Sequence, residues 1–73
     1  MDVYGRVAKL LRESAEVVDG RRTVSGMSQQ AIAERVGASK GMINRILKDL
    51  TVGGYIATSR ASIEIRRGLP KHW

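Results

Sequence analysis

Residues 27–50, MSQQAIAERVGASKGMINRILKDL, carry the pattern on which the fold turns. Two segments with helical apolar spacing are joined across Gly37-Ala38, which leaves room only for a tight turn. Ser28 stands where a cap is needed for a helix over residues 29–36, with Ile32, Ala33 and Val36 as its narrow apolar face. Gly37 suits the sharp turn because it tolerates positive φ. Ser39 stands in the same capping position for a second helix, residues 40 to about 51. Neither serine has Glu or Gln three residues on, so neither forms a full capping box.

The second helix divides cleanly. At about 100° per residue, Lys40, Asn44, Lys48, Gly41 and Arg45 span an arc of about 140°, whereas Met42, Ile43, Ile46, Leu47 and Leu50 lie between about 200° and 340°. Many surface helices are amphipathic. Here the polar arc holds Lys, Asn, Lys, Gly and Arg without an acid, and Asp49 falls at its boundary. Arg offers two hydrogen bonds to guanine O6 and N7, Lys reaches the same acceptors, and Asn pairs with adenine N6 and N7. Gly41 leaves a gap through which a backbone can approach. A helix of this kind can rest on a core and present its other side to the DNA major groove.

Working outward, residues 2–18 read as a first helix. Val3, Val7, Leu10, Leu11, Ala15 and Val18 form one apolar stripe, with Arg6, Lys9, Arg12, Glu13 and Glu16 on the other sides. Asp19-Gly20 is expected to end that helix. Residues 21–26 then read as a connector with a short strand near 22–24, in which Arg21 and Arg22 are taken as solvated. Gly53-Gly54 stops the recognition helix. Residues 55–58 and 62–65 read as two short strands with Ser59-Arg60-Ala61 at the hairpin tip, although the tip lacks Asn-Gly or Asp-Gly. Pro70 excludes regular structure from the tail.

The expected fold class is α+β, mainly α: a winged helix-turn-helix with three helices and a small antiparallel β-hairpin wing. One domain is expected over residues 1–73, with the first helix at 2–18, the helix-turn-helix at 28–51, the wing at 55–66 and a tail at 67–73.

Composition fits this. A chain of 73 residues supports one small domain that buries about 60% of its unfolded surface. It has no Cys and no Phe, so disulfides and thiolate metal sites are excluded and the core must be aliphatic. No apolar run approaches a membrane span, and the N-terminus lacks a signal-peptide pattern, so a cytoplasmic protein is expected. Thirteen Lys and Arg against seven acids give a net charge of +6, which suits a polyanionic partner or, equally, a solvated surface.

The polar face offers Lys40, Gly41, Asn44, Arg45 and Lys48 to a DNA groove. Phosphate contact is assigned to Ser28, Gln30 and Ser39, where helix N-termini offer free N–H groups, to Lys48 on the same polar face, and to Arg60 at the hairpin tip. Gln29 is read as an ordinary first-turn residue. Phosphate contacts set register and affinity, not sequence preference. Two other classes compete. A winged helix can serve as a protein–protein interaction module, for which Leu69, Pro70 and Trp73 are the residues to watch. An enzyme is not expected: His72 is the one histidine, no phosphate-cradling Gly-rich loop occurs, and Glu13, Glu16 and Glu34 form no constellation. No metal or cofactor is expected.

Residues 27–50 together with GGYIATSRASIEI resemble the DNA-binding domain of the Crp/Fnr family of bacterial transcription regulators. The shared features are the polar-Gln-x-Ile-Ala start, the Val-Gly-x-Ser turn and the Arg-Ile-Leu-Lys-x-Leu end, and DVYGRVAKLL resembles that domain's first helix. The resemblance implies base reading at Lys40, Gly41, Asn44 and Arg45, with Arg45 on a guanine, and phosphate contact at Ser28 and Gln30. Gly41 departs from the pattern: many members carry Glu there, which accepts from a cytosine amino group. Family members also carry an N-terminal effector-binding β-roll and a dimerisation helix, so these 73 residues are expected to correspond to the C-terminal domain alone, as an excised fragment or a stand-alone version. The implied partner is double-stranded DNA. As it stands the chain is expected to be a monomer. The full-length context implies a homodimer on a palindromic operator, with RNA polymerase as a further partner.

Overall fold

The computed structural model describes residues 2–59 and 62–69. Its elements run α1 (Val3–Ser14), β1 (Glu16–Val18), β2 (Arg21–Ser25), α2 (Gln29–Val36), α3 (Lys40–Val52), β3 (Ile56–Ser59) and β4 (Ser62–Ile65). All four strands join one antiparallel sheet in the order β1-β2-β4-β3. Three helices and this sheet make the winged helix-turn-helix that the sequence pattern implies.

Each helix starts at a side-chain cap. Asp2 accepts from the Gly5 N–H at 3.0 Å, Ser28 from Ala31 and Ser39 from Met42, both at 3.1 Å. Each cap satisfies one of the donors that a helix start leaves without an intrahelical partner. Between α2 and α3, Gly37 takes a left-handed conformation at φ 75°, and the N–H groups of Gly37 and Ala38 both donate to the Ala33 carbonyl. That closure turns the chain within the three residues 37–39 and sets α3 across α2.

The first helix is shorter than expected. It ends at Ser14, Ala15 is already extended, and residues 16–18 form an edge strand. Val18, placed on the apolar stripe of a helix over 2–18, is instead 47% exposed. The reason lies in Asp19-Gly20. Both residues have positive φ, 52° and 77°, as a two-residue hairpin turn of the primed kind requires. They fold β1 onto β2, with Val18 opposite Arg21 and Glu16 opposite Thr23. Asp19-Gly20 is therefore a hairpin tip, not a helix terminator. The short strand expected near residues 22–24 is present as the five-residue β2, and Arg21 is not simply solvated: its Nε lies 3.5 Å from Glu64 Oε2 across the sheet.

The wing is embedded in the sheet. Strand β4 pairs with β3 on one edge (Ile56 opposite Ile65, Ser59 opposite Ser62) and with β2 on the other (Val24 opposite Ile63). Inward-facing Val24, Ile56, Ile63 and Ile65 join Val7 and Leu11 of α1, Ile32 and Val36 of α2, and Ile43, Ile46, Leu47 and Leu50 of α3 in one aliphatic core. The alternating exposure of β4 follows the two-residue period of a strand with one covered face. Leu69 is also buried against this core.

Candidate nucleic-acid interface

The core fixes which side of α3 faces outward. Ile43, Ile46, Leu47 and Leu50 are buried, and Lys40, Gly41, Asn44, Arg45 and Lys48 are exposed. Five of the assigned residues thus share one open helix face. Met42 is a correction: it belongs by angle to the apolar arc, yet it is 44% exposed. It stands at the margin of that arc, at about 200°, next to the exposed side of the helix.

Gly41 is informative. A Cβ added there would meet nothing within 4 Å, and its φ is not positive. Neither backbone conformation nor internal packing requires glycine at this position. The contrast is Gly53, where an added Cβ would sit 2.9 Å from the Tyr55 ring.

The start of α2 lies beside this face. Ser28 and Gln30 are exposed there, next to Gln29. Gln29, read as an ordinary first-turn residue, donates from Nε2 to Asn44 Oδ1 at 3.4 Å. The bond links the start of α2 to the middle of α3 and leaves the Asn44 amide NH₂ available as a donor. A shallow groove continues from Gln29 and Asn44 past Lys48 to Thr58 and Ser59 of the wing. Ser39 also lies on the exposed surface, at the start of α3. Arg60 lies outside the described residues, as do Pro70, His72 and Trp73.

Three further side chains tie the elements around α3 together. Arg6 donates from Nη1 to the Val36 carbonyl at 3.1 Å, which ties α1 to the last turn of α2. Arg67 donates to the Gly53 carbonyl at 3.1 Å and stacks on the Tyr55 ring at 4.7 Å, which places a cation at the C-terminus of α3. Tyr4 of α1 donates from its hydroxyl to Asp49 Oδ2 of α3 at 2.5 Å. That hydrogen bond, helped by burial and by the carboxylate's charge, holds the Tyr4 phenol above its ordinary value of 10.0, while the Arg45 charge acts the other way. Tyr4 and Asp49 are 45 positions apart, so no local pattern announces the contact. Gln29 and Asn44 are 15 positions apart, and no local pattern announces their contact either.

Among the described residues, no group of three or more His, Cys, Asp or Glu could hold a metal, and no helix is long and apolar enough to cross a membrane. Leu69, one of the residues on which a protein-interaction surface would rest, is buried.

The model of the Crp-like helix-turn-helix domain matches residues 5–68. No curated protein sequence matches. Among solved structures, a Crp/Fnr-family transcriptional regulator from Thermus thermophilus superposes with a TM-score of 0.77 at 20% identity, covering 88% of this chain and 35% of that one. The reduced, iron(II) CO-sensing protein from R. rubrum gives 0.80 at 21% identity, covering 89% and 32%. Reduced CprK without ligand gives 0.73 at 17% identity, covering 88% and 33%. The chain thus spans about a third of the length of each. At these identities the likeness is one of fold.

Proposed function

Because the chain belongs to the family of Crp-like helix-turn-helix domains, matched over residues 5–68, we propose that it binds double-stranded DNA sequence-specifically through α3 laid in the major groove. Family membership supports DNA binding in transcription regulation. The observation that carries the finer reading is the outer face of α3: Lys40, Gly41, Asn44, Arg45 and Lys48 are exposed together, and Asp49, the one acid on the helix, is bound to Tyr4.

Each residue has a chemical role in this reading. Arg45 forms a bidentate contact with guanine O6 and N7, Lys40 reaches the same class of acceptor, and Asn44 donates its amide to a base-edge acceptor. Gly41 lets the helix backbone approach the groove. Ser28, Gln30 and Ser39 donate to phosphate at the starts of α2 and α3, Lys48 pairs with phosphate by charge, and Arg60 is assigned to phosphate by its charge as well. A capping serine is compatible with this, since its oxygen accepts from the helix and its O–H remains a donor. In a full-length cytoplasmic regulator, a dimer would place two α3 helices about 34 Å apart on a palindromic operator. Effector sensing and contact with RNA polymerase belong to that larger context.

Selection of bound duplexes from a randomised pool tests the reading. A defined half-site, with affinity falling steeply as salt rises, is the expected result. Enrichment of no sequence would overturn it.

A further inference from the structure

We propose that Tyr4 is a positioning residue for base reading: it holds the Asp49 carboxylate against α1 and so leaves the Arg45 guanidinium free for DNA. The inference rests on the base-reading role proposed above for Arg45.

Asp49 stands four residues after Arg45 on α3. At that spacing helical side chains meet, and an Arg and an Asp so placed attract one another. A carboxylate also offers a guanidinium the same planar, two-acceptor geometry as guanine O6 and N7. An unrestrained Asp49 would therefore compete with the base for Arg45. In the structure the two are not paired: among the described residues, the one ion pair joins Arg21 to Glu64. Asp49 instead accepts a hydrogen bond from the Tyr4 hydroxyl.

The donor is well anchored. Tyr4 projects from the first turns of α1 and packs, partly buried, against the aliphatic core. Its position is thus set by α1, not by the exposed face of α3. The charge of Arg45 reaches the Tyr4 phenol and opposes the rise of its pKa, which places all three groups in one neighbourhood. Arg45 itself is exposed. The arrangement gives α1 a part in base preference although it need not touch DNA.

The test compares the protein with its Tyr4→Phe, Asp49→Asn and doubly substituted variants. Each is titrated with the selected duplex and with one altered at the guanine assigned to Arg45, and each is melted thermally. Tyr4→Phe is expected to lose discrimination at that base pair by up to about twofold, the factor a surface i, i+4 ion pair supplies. Asp49→Asn and the double variant are expected to discriminate like the parent, because no carboxylate is left to compete. Rescue by Asp49→Asn is the signature that a merely structural Tyr4 would not give. Tyr4→Leu removes the same donor and repeats the comparison should Tyr4→Phe fail to fold. If the parent selects a defined duplex and the hydroxyl-free variant discriminates as well as the parent, the latch is wrong and the DNA reading stands. A double variant as impaired as Tyr4→Phe also overturns the latch. A parent that selects no duplex overturns the DNA reading itself, and the latch with it.

Discussion

Along α3, Ile43, Ile46, Leu47 and Leu50 are buried, while Lys40, Gly41, Asn44, Arg45 and Lys48, interleaved with them in the sequence, are exposed. The two sets share one backbone and one pair of helix ends, yet they answer to different demands. The inner set must fill volume against two other helices and a sheet. The outer set makes few contacts with its own protein: among the described residues, its side-chain hydrogen bond is the one of 3.4 Å from Gln29 to Asn44. Stability and recognition should therefore separate along this helix by face.

The largest break in that separation should come from the inner face. Ile46 is fully buried, so Ile46→Ala is expected to cost about 2–5 kcal/mol of stability. Denaturant unfolding measures this, and in so small a domain a loss of that size removes most of the margin that keeps the chain folded. Arg45→Ala is the converse. It should cost about 1–3 kcal/mol of duplex binding at one base pair while changing stability by no more than about 0.5 kcal/mol. A melting curve shifted as far as that of Ile46→Ala would show that the outer face also carries the fold. Ser39 sits where the two demands meet. Ser39→Ala removes the acceptor for the Met42 N–H and is expected to lower stability by about 1 kcal/mol, with weaker duplex binding beyond what unfolding explains.

Gly41→Ala sharpens the comparison most directly. The new methyl meets nothing within 4 Å, and alanine in a helix is better than glycine by about 0.5–1 kcal/mol. The variant should melt at higher temperature and bind the selected duplex less tightly. Equal binding would show that no close approach occurs at this residue. The smallest effect expected concerns pH. The Tyr4 phenol is held above 10.0 by its bond to Asp49. A folded-state value above the unfolded one contributes stability that is fully present below the unfolded value and lost as pH rises through the folded one. The stability difference between the parent and Tyr4→Phe should then be constant across the neutral range and shrink only above about pH 10. A difference that vanished near neutrality would contradict the hydrogen bond.

The two hairpins show where the sequence could and could not be read. Strands β3 and β4 follow from β-branched residues with alternating character, even though their tip has no strong turn signal. Strand β1 was obscured for the opposite reason. Val3, Val7, Leu10, Leu11, Ala15 and Val18 keep helical spacing through residue 18, and that pattern outweighed Asp19-Gly20, which is among the strongest short hairpin signals. Periodicity does not distinguish a stripe that reaches the core from one that continues past it. Val17 and Val18, at 74% and 47% exposed, lie beyond the point where α1 has a partner to pack against.

What the sequence determined by itself is therefore local. The capping serines, Gly37 in the turn and the split of α3 into an aliphatic and a basic face all depend on residues within a few positions of one another, where backbone sterics and helical geometry act without the rest of the chain. The tertiary structure decided the rest: the end of α1 at Ser14, the fourth strand of the sheet, the exposure of Met42, and the contacts of Gln29 with Asn44 and Tyr4 with Asp49. Each of these depends on which segment is placed opposite, and a pairing between residues 15 or 45 positions apart becomes visible only when the core has brought them together.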